Sequence, residues 1–185
     1  MGRRRPEGGK VSATALLLDE VEEGLSRRQL KLDPAHLELG EGEFHLVGPL
    51  QVGLRLNRSG QNFQLEARLQ GRLEGECCRC LEPVGQELEA VLQVLLQRQP
   101  LGEDEREAAE EDEDVELLAP GDKQADLKER LREAVLLELP LRMYCRQDCK
   151  GLCAECGHNL NTGACGCATA QGDPRWSALR DVKLS

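Results

Sequence analysis

"NFQLEARLQGRL", residues 62–73, sets Phe63, Leu65, Ala67, Leu69 and Leu73 on one parity with polar residues between most of them. Successive side chains leave a strand on opposite sides, so this alternation is what a strand with one buried face requires. The period of two continues on both flanks, through Val52, Leu54 and Leu56 of "QVGLRLN" and through Leu88, Ala90, Leu92, Val94 and Leu96 of "ELEAVLQVLLQ". "NRSGQN" has the composition of a hairpin turn, and "RCLEPVGQ" connects the second run to the third. The pattern predicts an antiparallel meander over residues 45–101. Val91 and Leu95 are apolar on the other parity, which leaves a helix over 88–96 as an alternative.

Downstream, "GDKQADLKERLREAVLLELP" carries Leu127, Leu131, Ala134 and Val135 at helical spacing, with Asp122 or Asp126 to cap its start and Pro140 to stop it. A packing helix over 122–144, with this face on the meander, gives an α+β layer. "DPRWSALRDV" predicts a short C-terminal helix within 171–185 presenting Trp176, Leu179 and Val182. Residues 1–44 are mixed in pattern and are expected to be partly flexible, with a short helix or strand among loops.

The formal charge of −10 is concentrated in one place. Glu103 to Glu116 holds ten acids and one arginine, a net of −9, which leaves the rest of the chain near −1. So little apolar content predicts a solvated, flexible loop over 102–121. The N-terminal "GRRRPEGGK" is followed by an apolar run of only Ala15 to Leu18, too short for a secretory signal, and no later stretch is long enough to span a membrane. The expectation is a cytoplasmic protein without membrane contact, in a compartment where clustered thiols bind metal rather than pair.

Six of the nine cysteines fall within "YCRQDCKGLCAECGHNLNTGACGC", residues 144–167. Cys153 and Cys156 form a C-x-x-C followed by glycine, and Cys165 and Cys167 follow after a turn-rich segment, together a compact four-thiolate zinc set. Cys77 and Cys80 form a second C-x-x-C at a strand end, and Cys145 and Cys149 follow the helix-stopping proline. If the helix packs back on the sheet, these two pairs meet in a second zinc site that ties the sheet to a small module over 145–170. Cys78, on the opposite face of the strand from Cys77, is expected as a small buried hydrophobe. Redox chemistry at Cys77 and Cys80 is the rival reading, but a thioredoxin-type motif opens a helix after a strand, and this one lies between antiparallel strands. His158 neighbours the metal turn and reads as a surface residue. Four thiolates leave a metal no open position, so both ions are expected to be structural. No paired carboxylates, nucleophile with base, or phosphate-cradling glycine loop points to an enzyme or a small-molecule substrate.

The order "CCRCLEPV", an acidic loop, "LLELPLRMYC", "DCKGLCAECGHNLNTGACGC" and "DPRWSAL" resembles the YceD family, the large-ribosomal-RNA-subunit accumulation proteins, over roughly residues 45–185. The resemblance implies a non-enzymatic factor in ribosome biogenesis that supports accumulation or processing of large-subunit (23S) ribosomal RNA. It also places metal ligands on Cys77 and Cys80, on Cys145 and Cys149, and, as in one branch of the family, on Cys153, Cys156, Cys165 and Cys167. The implied partners are ribosomal RNA or the pre-ribosomal large subunit. Arg79, Arg142, Arg146 and Lys150, around the zinc turns, are the candidates for RNA phosphates. The alternative is an adaptor or holding factor for a basic large-subunit ribosomal protein, recruited by the acidic loop and acting on the RNA indirectly.

Overall fold

The fold is described from a computed structural model for residues 12–40, 42, 44–98, 114–119 and 121–167. Short strand β1 (Ala15–Leu17) is followed by β2 (Gly24–Leu32) and by three long strands, β3 (Phe44–Ser59), β4 (Asn62–Glu76) and β5 (Pro83–Gln97). β6 (Val115–Leu117), β7 (Gln124–Asp126) and one helix, α1 (Lys128–Leu137), complete the order. β2 to β6 form a five-stranded sheet in sequence order, antiparallel except that β6 runs parallel to β5, while β1 pairs with β7 in a separate two-stranded sheet.

The alternation read from the sequence sets the registers. Leu54 lies opposite Ala67 and Leu56 opposite Leu65 between β3 and β4, and Leu65 faces Val94 and Ala67 faces Leu92 between β4 and β5. All six are buried, so one sheet face is continuously apolar and a slip by one residue would expose every strand's core set. Gly60 takes φ 60 as the first of two hairpin residues, the requirement of a II′ turn. The β3–β4 register breaks between Val47 and Gln51, where Gly48 takes φ 70 and Pro49 has no N–H to donate. The bulge turns Leu50 over Gly71, where a Cβ would stand 2.5 Å from Leu50 Cδ2.

The expected helix face closes the core: Leu127, Leu131, Ala134 and Val135 are buried, and α1 lies against β5 and a 3-10 turn at Pro34–Leu37. Glu38, which ends that turn at φ 49, holds α1 through Lys128 Nζ at 2.8 Å, and its carbonyl accepts from Arg132 Nε at 3.3 Å. The outer sheet face is mostly polar, with Leu25 and Val91 exposed among its charged residues. Arg55 and Arg68 pair with Glu66, and Arg72 pairs with Glu74 and Glu87, all exposed enough that each pair is worth about 1 kcal/mol or less.

Three expectations need correction. The helix is shorter than 122–144, because Gln124–Asp126 pairs with β1 before the chain turns helical. Asp126 does accept from the Lys128 N–H at 3.1 Å, whereas Asp122 bonds the Ala119 N–H. Within the presumed loop over 102–121, Val115–Leu117 forms the sheet's parallel edge, anchored by Leu118 N–H to Gln97 O at 2.8 Å. Residues 1–44 hold more order than expected, since β2 pairs with β3 along its full length. The terminal helix expected over 171–185 lies outside the described residues.

Candidate metal centres

β4 ends at Glu76, and Cys77 to Cys80 form the turn into β5. The turn is a knuckle: Leu81 N–H donates to Cys77 O at 2.9 Å and Cys77 N–H to Glu82 O at 2.8 Å. Cys153 to Cys156 repeat it, with Gly157 N–H to Cys153 O at 2.9 Å and Cys153 N–H to His158 O at 2.8 Å. In both, the residue after the second cysteine is left-handed. Gly157 adopts φ 71 without a steric penalty, but Leu81 holds φ 61 with a side chain in place.

α1 ends at Leu137, and the following chain returns to the first knuckle, where Cys78 N–H bonds Met143 O at 3.0 Å. This brings Cys145 and Cys149 to Cys77 and Cys80, with Sγ–Sγ separations of 3.8 Å for Cys77–Cys149 and 3.6 Å for Cys80–Cys145. The four sulfurs lie within 4.8 Å of one another, and so do those of Cys153, Cys156, Cys165 and Cys167. A tetrahedral ion with metal–sulfur bonds of about 2.3 Å sets its sulfurs about 3.8 Å apart, whereas a disulfide needs about 2.05 Å. The donor sets therefore fit a thiophilic tetrahedral cation, and all described cysteines are free.

The electrostatics of the clusters point the same way. Burial disfavours the Cys77 thiolate, but N–H groups of Cys145, Arg79 and Cys80 outweigh it and bring the thiol down to about 6. The Asn161 amide is the main influence holding Cys149 below the ordinary thiol range. Cys145 is exposed as a residue, yet its sulfur faces the cluster, and desolvation with its three companions pushes it up to about 12. In the second cluster, the N–H groups of Cys156 and Glu155 lower Cys153 to about 7, while Cys156 and burial push Cys167 up to about 12. Four crowded thiols cannot all ionise alone, and a bound divalent cation removes that conflict.

The module that carries these cysteines has almost no apolar core. From Glu138 to Cys167 the buried residues are Met143, Cys149 and Gly151, and the Cys77, Cys80 and Cys149 cluster is separate from the sheet core. Hydrophobic burial on this scale does not order some thirty residues, so the module needs another source of stability.

Of the basic candidates, Arg79 is engaged within the chain. Its guanidinium stacks on Tyr144 at 4.7 Å and donates to Cys149 O at 3.0 Å. Arg146 donates to Asn161 Oδ1 at 2.7 Å and lies 3.5 Å from Asp148. Arg142 and Lys150 are exposed. His158 is exposed and outside both sulfur sets. Cys78 is exposed, not buried, because it lies in the knuckle rather than on β4.

The sequence reading missed Asn159 and Asn161. Asn161 Oδ1 accepts from Arg146 Nη2 and from the Lys150 N–H at 2.8 Å, and its Nδ2 donates to Cys149 Sγ at 3.3 Å. Asn159 Oδ1 accepts from that same Nδ2 at 2.8 Å, and Asn159 Nδ2 donates to Glu82 at 3.2 Å. Their signal was the "NLN" between the two cysteine pairs, a place where amide side chains also serve as ordinary turn residues.

The model of the family described as "Large ribosomal RNA subunit accumulation protein YceD" matches residues 65–183, from early in β4 through both cysteine clusters. The chain belongs to the YceD family. An uncharacterized protein of Mycobacterium tuberculosis is 35% identical to this YceD-family chain over 133 residues, covering 72% of the chain and 61% of that protein. The chloroplastic YCED homolog 1 of Arabidopsis thaliana, named as a large ribosomal RNA subunit accumulation protein, is 26% identical over 156 residues, covering 73% of the chain and 49% of the homolog. The Zea mays protein of the same name is 28% identical over 171 residues, covering 77% of the chain and 58% of that protein. The chain thus spans between 49% and 61% of the length of these relatives. No solved structure gives a significant match. Among the described residues no helix is long and apolar enough to cross a membrane.

Proposed function

We propose that the chain is a non-enzymatic, cytoplasmic factor in ribosome biogenesis that supports accumulation or processing of 23S ribosomal RNA, with two structural zinc ions. The observation that carries the metal part is the sulfur geometry, with separations of 3.8 and 3.6 Å in the first cluster and a knuckle of the same hydrogen-bond pattern in each. Cys77, Cys80, Cys145 and Cys149 would hold one ion, and Cys153, Cys156, Cys165 and Cys167 the other. Bound there, zinc supplies cross-linking in place of an apolar core. The RNA part is supported by membership of a family named for large-subunit ribosomal RNA accumulation.

RNA contact is proposed at the face around the first centre. Arg142 and Lys150 are exposed there and suited to phosphates, while Arg79 and Arg146 hold loops and would contribute charge at the rim. Ultraviolet crosslinking in cells, followed by denaturing purification, tests this reading. Recovery of crosslinks mapped to one region of 23S RNA supports it. Absence of RNA, with a ribosomal protein retained under gentle conditions, replaces it with the adaptor reading. That alternative rests on the acidic run, of which residues 103–113 lie outside the described structure. Native mass spectrometry separately tests the metals, with two zinc ions per chain as the expected mass.

A further inference from the structure

The two cysteine clusters are joined by a short polar connection. Asn161 belongs to the loop between Cys156 and Cys165, whose ends carry ligands of the second centre, yet its side chain points at the first. Its Nδ2 donates to Cys149 Sγ at 3.3 Å, and its Oδ1 accepts from Lys150 N–H at 2.8 Å and Arg146 Nη2 at 2.7 Å, gripping both sides of that ligand. Asn159 orients the amide by accepting from Nδ2 at 2.8 Å and is tied to the first knuckle through Glu82. The backbone follows the same path: Leu152 N–H donates to Arg79 O at 3.0 Å, and Leu160 N–H to Gly151 O at 2.9 Å.

An N–H aimed at a sulfur favours the thiolate over the thiol and fixes the direction from which that sulfur meets a metal, which is how residues behind the ligands tune a centre. Beyond Asn161, Thr162 is held on Asn159 O by its N–H at 3.0 Å and its hydroxyl at 2.8 Å, while Gly163 and Ala164 are exposed and lead directly to Cys165. Closing Cys165 and Cys167 onto the second ion leaves three residues between Asn161 and the nearest ligand, which limits where the Asn161 side chain can sit.

We infer that Asn161 is a positioning residue that couples the two centres: metal in the Cys153, Cys156, Cys165 and Cys167 cluster orders the loop that seats Asn161 on Cys149, and so raises the metal affinity of the Cys77, Cys80, Cys145 and Cys149 cluster. The inference rests on the metal reading above. Coupling between binding sites is reciprocal, so metal in the first cluster raises the affinity of the second by the same factor.

The test uses the full-length, zinc-loaded protein. Chelator is titrated against it, and alkylation of each cysteine is read by peptide mass mapping, which reports the two clusters separately. With Cys165→Ser and Cys167→Ser together, the first cluster should become alkylated at a chelator activity about 10- to 100-fold lower than in the unaltered protein, the range for losing a supporting group behind a ligand. Asn161→Asp keeps an acceptor for Arg146 and Lys150 but replaces the donor facing Cys149, and should produce a loss of the same order. Combining all three changes should add little, because they break one connection. Far-UV circular dichroism checks that the sheet persists in each variant. Unchanged protection of the first cluster in the Cys165→Ser, Cys167→Ser protein overturns the coupling while leaving two separate metal sites standing. Full protection in Asn161→Asp with loss in the double serine variant removes Asn161 as the connector. Alkylation of both clusters without chelator, in freshly zinc-loaded protein, removes the metal reading and the coupling with it.

Discussion

Gly151 and Gly157 offer a matched pair for separating backbone strain from close packing. Both are left-handed, at φ 75 and φ 71. A Cβ on Gly157 would meet open space, whereas one on Gly151 would stand 3.0 Å from Arg79 O and 3.4 Å from Arg79 Cβ. Alanine in the left-handed region costs about 1–2 kcal/mol at either position. At Gly151 the added atom also displaces a carbonyl that accepts the Leu152 N–H at 3.0 Å. Losing that bond adds about 1 kcal/mol. The entropy that alanine removes from the unfolded chain is common to both variants and cancels in the comparison. Gly157→Ala should therefore weaken the module by about 1–2 kcal/mol, and Gly151→Ala by about 2–3 kcal/mol. Native-state amide exchange at Cys77, Leu152 and Cys153 measures this, at one fixed free zinc concentration because bound metal shifts apparent stability. Protection should drop roughly 5- to 30-fold for Gly157→Ala and roughly 30- to 150-fold for Gly151→Ala. Equal losses in the two variants would show that the Arg79 carbonyl is not held where the packing places it.

The remaining predictions concern the knuckle, the sheet and the thiols. Leu81→Gly should stabilise the first knuckle by about 0.5–1 kcal/mol, because it relieves a left-handed residue whose side chain is 56% exposed, and a drop in protection at Cys77 would contradict this. Leu56→Ala should cost about 2–5 kcal/mol in urea unfolding, since Leu56 is fully buried opposite Leu65, while Leu141→Ala, at a site 96% exposed, should change stability by no more than about 0.5 kcal/mol. Adding zinc to metal-free protein near neutral pH should release protons. Cys145 and Cys167, each pushed up to about 12, still carry theirs at that pH, and the metal takes the thiolate. Affinity should accordingly fall as pH is lowered, and calorimetric binding enthalpies that do not vary with buffer ionisation enthalpy would refute the release.

The long strands were legible because one face of each is buried, so burial wrote a period of two into the sequence. β2 was not legible. Of its nine residues only Leu32 is buried, Leu25 and Leu30 are exposed, and Arg27, Arg28 and Lys31 give it the charged character of an edge strand. β7 was absorbed into the expected helix because "DKQAD" has helical propensity, and only pairing with distant Ala15–Leu17 decides otherwise. The second cysteine cluster is local and was read from spacing alone. The first depended on a tertiary inference, that α1 packs back on the sheet, and the fold brings those pairs together as that inference required. Asn161 escaped notice because its role is set by three-dimensional neighbours rather than by any spacing.

The two clusters differ most in the length of chain each encloses. Cys80 and Cys145 are 65 positions apart and Cys77 and Cys149 are 72 apart, whereas the whole second cluster fits between residues 153 and 167. Closing the longer loop costs about 1.5 kcal/mol more by chain-length scaling alone. It also requires β5, β6 and α1 to be in place. During synthesis the first cluster cannot assemble until Cys149 has left the ribosome, by which time every strand among the described residues has been made. Its closure is therefore a late, high-contact-order event in folding, and a chain truncated before Cys145 would retain all the described strands without the clasp that secures one end of the sheet.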